Sequence, residues 1–378
     1  MRIAIVCSYY PWPPSVGGVE TIVRNVSTKL AERNHEVYVV TTPFDVTTMR
    51  QVSTYGVEER DGVIVYKLKP GKLRVGYARF LKGLKETVEE IRPEIVHEHN
   101  LHPHLFQLVK WKGNNSYKLV AELHHPAVNL DFFAQRILLP FVAYWLKKES
   151  PSIDALLAHT KLEKRWLMSK GIREDSIKVI EPPFISSKLF SRRPKEPSNP
   201  NRLLYIGRVV PKKGLHILLR ALSLVNDAEL VIAGPYEKRY FEKLQRLVVK
   251  LRLEDRVKFK GKVTEEEKID LMSSCSVLVC STLADYHPIV LFEAQALGVP
   301  VIATKVGAVS EMMLDGETGL LVKAGDPYEL AKSIATLIEN EDLRRRFSVK
   351  AREFAKNFTV ERSVKKLERL YYDVLNLR

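Results

Sequence analysis

Short apolar runs alternate with longer stretches of mixed polarity from one end of the chain to the other. RIAIVCSY (2–9), EVYVVTT (36–42), IVHEH (95–99), KLVAEL (118–123) and ALLAHT (155–160) are rich in Val, Ile and Leu. Continuous apolar runs of this kind, separated by helix-like segments, predict parallel strands buried on both faces and joined by crossover helices. The pattern breaks at SSKLFSRRPKEPSNPNR (186–202), which is dense in Pro, Ser, Arg and Lys and has no periodicity, so it reads as a linker. A second set follows: RLLYIG (202–207), AELVIAG (228–234), VKFKG (257–261), SVLVCS (276–281), PVIAT (300–304) and GLLV (319–322). The prediction is an α/β protein of two doubly wound domains, residues 1–190 and 191–359, facing each other across a crevice. In the tail, Val364, Leu367, Leu370, Tyr371 and Val374 recur at helical spacing. Residues 360–378 are therefore expected to form an amphipathic helix, for which packing on either domain, including a return to the first, is open.

Composition agrees with two domains. A chain of 378 residues is too long for one ordinary core, and 45% hydrophobic with 28% charged residues describes a folded, soluble chain. The longest apolar run, ILLPFVAYWL (137–146), is about half of the roughly 20 residues that span a bilayer. An integral membrane protein is not expected. The N-terminus MRIAIVCSYY enters strand-like sequence directly, without the pattern of a secretory signal. Cys7, Cys275 and Cys280 fall in apolar strand-like segments and form no C-x-x-C pair, as expected of reduced core thiols in a cytoplasmic protein.

Charge adds a partner to the picture. A net charge of +15 calls for nucleic acid, an anionic membrane surface or a phosphorylated substrate. The stretch 62–85 holds seven cations, Lys67, Lys69, Lys72, Arg74, Arg79, Lys82 and Lys85, and no acid. A solvated basic face would read the same way. Aromatics interleaved with these cations are sparse and no recognition module is present, so nucleic acid is not an expected partner.

Three stretches carry candidate chemistry. In YYPWPPSVGGVETIV (9–23), Gly17-Gly18 precede a helix bearing Glu20. Paired glycines there let backbone N–H groups approach an anion; a plain loop pair fits as well, and the G-x-G-x-x-G of a nicotinamide site is absent. In YIGRVVPKKGL (205–215), a strand ends in Gly207, Arg208 follows, and Lys213-Gly214 open a helix. Ligands of doubly wound sheets bind beyond the carboxyl ends of strands, and two cations there, one a fork and one a point charge, suit a diphosphate. In ADYHPIVLFEA (284–294), Asp285 lies before a helix and Glu293 in its first turns. Carboxylates so placed accept hydrogen bonds from sugar or ribose hydroxyls, although a capping Asp and a solvated Glu would look alike.

Metal chemistry is not expected. His97 and His99 in HEH, with the HH at 124–125, contain the right atoms, yet strand alternation puts His97 and His99 on one face and Glu98 on the other. No D-x-D occurs that would hold a divalent ion against a diphosphate. A G-x-S-x-G elbow, a P-loop and zinc-ligand spacings are also missing, which leaves hydrolase and kinase readings without residues.

In order along the chain, Gly17-Gly18-x-Glu20, His124, GRVVPKKG, the D-x7-E stretch and DGETGLLV (315–322) resemble the family 4 retaining glycosyltransferases, over nearly the whole length. The resemblance implies the GT-B architecture of two Rossmann-like domains, with the acceptor on the first and a nucleotide sugar on the second. It implies that Gly18, beside Gly17, meets the donor's distal phosphate, that His124 touches the transferred sugar, and that Arg208 and Lys213 hold the diphosphate and stabilise it as it leaves. Glu293 matches the ribose-binding carboxylate, and Asp285 stands where the family usually has a Glu on the sugar hydroxyls. FKGKV (259–263), with Gly261 and Val263, lies where the base is contacted. The backbone of His287, Pro288, Ile289 and Val290 lies where the phosphates are met.

Three departures fall on the sugar end: Asp285 is one methylene short, Tyr286-His287 replace a usual Gly-Phe, and Gly307-Ala308 a usual Gly-Gly. The implied activity is metal-independent, retaining transfer of a hexose or N-acetylhexosamine from a UDP- or GDP-sugar to a lipid-linked or saccharide acceptor, with no further cofactor. An epimerase or hydrolase of nucleotide sugars on the same architecture is the alternative. SYYPWPPSVGGVET (8–21) is similar to phosphoinositide-directed members. With 62–85 and KLEKRWLMSKG (161–171) it suggests a peripheral site on an anionic inner membrane face. Nothing in the sequence sets the oligomeric state.

Overall fold

The opening apolar run becomes β1 (Arg2–Tyr9), in which every residue after Arg2 is buried. The computed structural model describes residues 1–10, 18–44, 50–75, 78–100, 103–112, 117–123, 132–192 and 199–377. It divides into two units, one of Met1–Phe184 with Val360–Arg378, the other of Ile185–Thr359.

In the first unit, β2 (Glu36–Thr42), β3 (Gly56–Arg60), β4 (Val63–Lys67), β5 (Pro70–Val75) and β6 (Ala78–Leu81) precede β7 (Ile95–His99), β8 (Lys118–Glu122), β9 (Ala155–Ala158) and β10 (Ile177–Val179). Among the described residues the main sheet has the order β10-β9-β8-β7-β1-β2-β4-β3, and β5 pairs with β6 apart from it. Neighbours run parallel except at the edge, where β3 turns back on β4. The strand order reverses at β1, the mark of a doubly wound sheet. The tail helix Val360–Val374 belongs to this unit and buries Val364, Leu367, Leu370 and Tyr371, while Val374 stays half-exposed. Glu368 on the same helix meets Arg33 at 2.6 Å and His35 at 2.7 Å.

The second unit is wholly parallel. Its strands are β11 (Arg202–Ile206), β12 (Glu229–Ala233), β13 (Val257–Gly261), β14 (Val277–Cys280), β15 (Val301–Thr304) and β16 (Gly319–Val322). Their order is β13-β12-β11-β14-β15-β16, so the chain switches direction between β11 and β14. Leu203, Tyr205, Leu230, Ile232, Val277 and Val279 pack with helix residues Leu215, Leu218 and Leu222 into one apolar core. Full burial of each such side chain is worth about 1.5–3 kcal/mol. Cys7, Cys275 and Cys280 are buried free thiols. Among the described residues no helix is long and apolar enough to cross a membrane.

Candidate active site

The switch between β11 and β14 brings two of the singled-out stretches together. After β11, Gly207 takes a φ of 151°, and Tyr205 donates its hydroxyl to the Arg208 carbonyl at 2.9 Å. A short 3-10 turn, Pro211–Lys213, then ends at Gly214, which opens the helix Leu215–Leu222. The carbonyl of Lys212 accepts from Leu283 N at 2.8 Å and from Thr282 Oγ1 at 3.2 Å, and that of Lys213 accepts from Ser281 Oγ at 3.1 Å. Gly214 has a φ of +69°, and a Cβ there would sit 2.0 Å from the Ser281 carbonyl oxygen. The loops after β11 and β14 thus lie backbone against backbone, with room only for glycine.

This clamp crowds Arg208, Lys212 and Lys213 onto one loop. Arg208 and Lys212 are exposed, and Lys213 is half-buried and paired with Asp285. Although Lys212 is exposed as a residue, partial desolvation of its ammonium, and then the charges of Arg208 and Lys213, hold it below its usual range, with Asp285 opposing them. Three cations share one carboxylate, so the loop retains positive charge for an anion. Sequence reading named Arg208 and Lys213 but not Lys212, whose backbone and charge both serve this loop.

Asp285 is fixed from two sides. Its Oδ1 accepts from Tyr286 N at 2.8 Å, and Gly307, at φ +52°, packs on its carbonyl so closely that a Cβ would lie 2.3 Å away. Ala308 N donates to the Tyr286 carbonyl at 3.2 Å, and the half-buried His287 ring stands edge-on to buried Tyr286 at 4.6 Å. Pro288 is buried, and Ile289 and Val290, half-buried, lead into the helix Val290–Ala296. Glu293 lies in the first turn of that helix and meets Lys268 at 2.8 Å. Burial alone would lower the Lys268 pKa, but Glu293 and Glu265 hold it above the usual value.

Beside the cation loop is a pocket of about 260 Å³ lined by Val209, Gly234, Tyr236, Phe241, Phe259 and Gly261, among others. A Cβ on Gly234 would lie 2.0 Å from the Gly207 carbonyl oxygen, so β11 and β12 end in close approach. Gly234 N donates to the Gly261 carbonyl at 2.7 Å, and Tyr236 stacks on Phe241 with centroids 4.4 Å apart. Val263 follows, half-exposed, just before Thr264, which caps the next helix in a reciprocal bond with Glu267. Tyr236 and Phe241 were not singled out from the sequence; the run PYEKRYF (235–241) was the available signal.

In the first unit, Gly18 opens the helix Gly18–Glu32 and Glu20 is buried in its first turn. Gly17 and His124 lie outside the described residues. Of the basic stretch, Lys67 is buried against Glu58 and Lys85 lies near Glu89.

Residues 16–185 match the family model Glycosyltransferase Family 4, and residues 186–354 match Glycosyl transferases group 1. A phosphatidyl-myo-inositol mannosyltransferase of Mycobacterium leprae is 26% identical over 388 residues, covering 99% of this chain and 97% of its own. An N-acetyl-alpha-D-glucosaminyl L-malate synthase of Bacillus anthracis is 25% identical over 391 residues, covering 99% and 97%. Anabaena HepE, solved in complex with UDP, has the same fold, with a TM-score of 0.77 at 20% identity over 99% of this chain and 100% of that one. Since the two matches meet end to end, the chain belongs to the family 4 glycosyltransferases, enzymes of two Rossmann-like domains in the GT-B architecture.

Proposed function

We propose that the protein moves a hexose or N-acetylhexosamine from a UDP- or GDP-sugar to a lipid-linked or saccharide acceptor, with retention and without a metal at the donor. The observation that carries this reading is the cation loop Arg208, Lys212 and Lys213, clamped at the switch between β11 and β14 beside an aromatic pocket. A base would lie among Tyr236, Phe259 and Gly261, ribose hydroxyls would donate to Glu293, and the diphosphate would lie over Arg208 and Lys213. Asp285 and the backbone of 287–290 would meet the sugar and phosphates. Gly18 and His124 are assigned to the distal phosphate and the sugar by resemblance.

As the bond from the anomeric carbon to the diphosphate oxygen breaks, charge builds on the leaving oxygens. Arg208 and Lys213 bind that charge more tightly than the ground state, which is how they would lower the barrier. The acceptor hydroxyl attacks from the face the diphosphate leaves, and its proton passes to the departing phosphate. No side chain need act as a nucleophile.

A lipid-linked acceptor is favoured by one face of the helix Phe132–Glu149. Phe141 and Tyr144 are 78% and 70% exposed there, with Lys148 a further turn along. Exposed aromatics with cations suit an anionic interface, and a relative is named for phosphatidyl-myo-inositol. The reading places the enzyme in the cytoplasm, against the inner membrane face.

A thermal-shift screen of UDP- and GDP-sugars, with and without EDTA, tests the donor; ligand at about 100 times Kd stabilises by about 2.7 kcal/mol. Assaying released sugar and nucleotide with no acceptor present separates transfer from hydrolysis or epimerisation. Failure of every nucleotide sugar to stabilise the protein would remove the proposal.

A further inference from the structure

Inside the first unit, four polar side chains meet where a doubly wound sheet ordinarily buries hydrocarbon. His97 and His99 on β7, Glu122 at the end of β8 and His159 just after β9 come from three adjacent strands, and all four are buried. The register sets His99 beside Glu122, and the two-residue period of β7 puts His97 on the same face. His97 Nε2 lies 3.3 Å from Glu122 Oε2, His99 Nδ1 lies 3.3 Å from Oε1, and His159 Nε2 lies 2.8 Å from Oε1. The ligand atoms of His97, His99 and Glu122 all fall within 4.8 Å of one another.

These spacings have a chemical meaning. A tetrahedral ion with bonds of about 2.0–2.1 Å to nitrogen and oxygen needs ligand atoms roughly 3.3 Å apart. Two of the far nitrogens are also engaged in the way that outer hydrogen bonds hold imidazoles around a metal. His97 Nδ1 meets the Tyr371 hydroxyl at 2.7 Å, and His159 Nδ1 meets the Ile180 carbonyl at 2.9 Å. A carbonyl only accepts, so His159 carries a proton on Nδ1 and reaches the Glu122 carboxylate through Nε2.

We propose that the first unit holds a structural divalent cation of the zinc type, ligated by His97, His99 and Glu122, with His159 holding the Glu122 carboxylate in place. All three ligands are buried, out of reach of a substrate, which suits a structural ion and not a reacting one. The ion would tie β7 and β8 together and, through the bond of His97 to Tyr371, fix the tail helix on the sheet. The inference does not depend on which sugar or acceptor the enzyme uses.

The test is metal content of untagged protein purified without chelator or added metal. Mass spectrometry of the elements should find about one zinc-type ion per chain, and His99→Gln and Glu122→Gln should lose it. Wild type refolded with Co2+ should show the visible absorption of a tetrahedral site, a readout that stands even where a variant does not fold. Wild-type protein that is metal-free as purified, and that takes up neither Zn2+ nor Co2+ on refolding, would overturn the proposal. A proton would then hold the cluster, on a His159 that burial pushes down but Glu122 raises to about 9.

Discussion

Lys213 and Asp285 are 72 positions apart in the chain and form an ion pair, each with about a fifth of its side chain exposed. The carboxylate neutralises the ammonium while no anion is bound, and a diphosphate must share or displace it. Asp285→Asn should therefore bind free UDP or GDP a few-fold more tightly, the scale of a partly screened pair. If Asp285 meets the sugar as proposed, kcat/KM for the nucleotide sugar should fall, because that contact to the sugar hydroxyls would be lost. Calorimetry of the nucleotide beside steady-state kinetics reads both; parallel losses in the two would mean that Asp285 only holds its loop.

Removing a cation from that loop should act on the transition state. Arg208→Ala and Lys213→Ala are each expected to lower kcat/KM by about 10²-fold or more, as for loss of one preorganised donor. A near-wild-type rate in either variant would take that residue out of the assignment.

Glu293 is held by Lys268 at 2.8 Å, an ion pair separate from that of Lys213 with Asp285. If its carboxylate accepts from the ribose, its loss should be felt as lost sugar selectivity. Wild type should prefer a ribonucleotide sugar over its 2′-deoxy analogue by about 10-fold or more, the worth of a charged hydrogen bond. In Glu293→Gln that ratio of kcat/KM values should shrink toward one. An unchanged ratio would assign Glu293 to holding Lys268 alone.

Much of this was legible before the structure, and the exceptions have physical reasons. β1, β11 and β14 are largely apolar runs because helices cover both faces, so they stand out in the sequence. β3, GVEER, lies on the antiparallel edge with no buried residue, so no hydrophobic pattern marks it. Arg208, Lys213, Asp285 and Glu293 could be named because they sit at strand ends and helix starts. Lys268 could not, since its partner Glu293 is 25 residues away on another element. The histidines show the limit best. Alternation put His97 and His99 on one face, and the structure sets Glu98 against His104 at 2.8 Å instead. Strand order alone, which the sequence does not state, brings Glu122 and His159 to His97 and His99.

The close approach at Gly214 makes a stability prediction with an internal control. Gly316 has a similar φ of +77° but open space within 4 Å of where a Cβ would stand, whereas at Gly214 the Ser281 carbonyl is in the way. Gly316→Ala should lose about 1–2 kcal/mol, the cost of a left-handed residue. Gly214→Ala should lose more, and should also lower kcat/KM by moving Lys213. Equal losses in urea melts would mean that the loop yields without cost.

The tail helix provides a prediction in pH. The Arg33 hydrogen bond, against burial and with help from His35, holds the Glu368 carboxylate below its usual range. A carboxylate with a depressed folded pKa stabilises the fold above its unfolded pKa of about 4.3, and that contribution fades as pH falls through the folded value. Glu368→Gln should therefore be less stable than wild type at pH 7 by about 1 kcal/mol, the scale of a partly exposed pair. The two should converge as pH drops from about 5 toward 3, where wild-type Glu368 takes up its proton. Melting temperatures of both proteins across that range measure the effect. A gap that stays constant with pH would show that the carboxylate's charge contributes nothing to docking the helix.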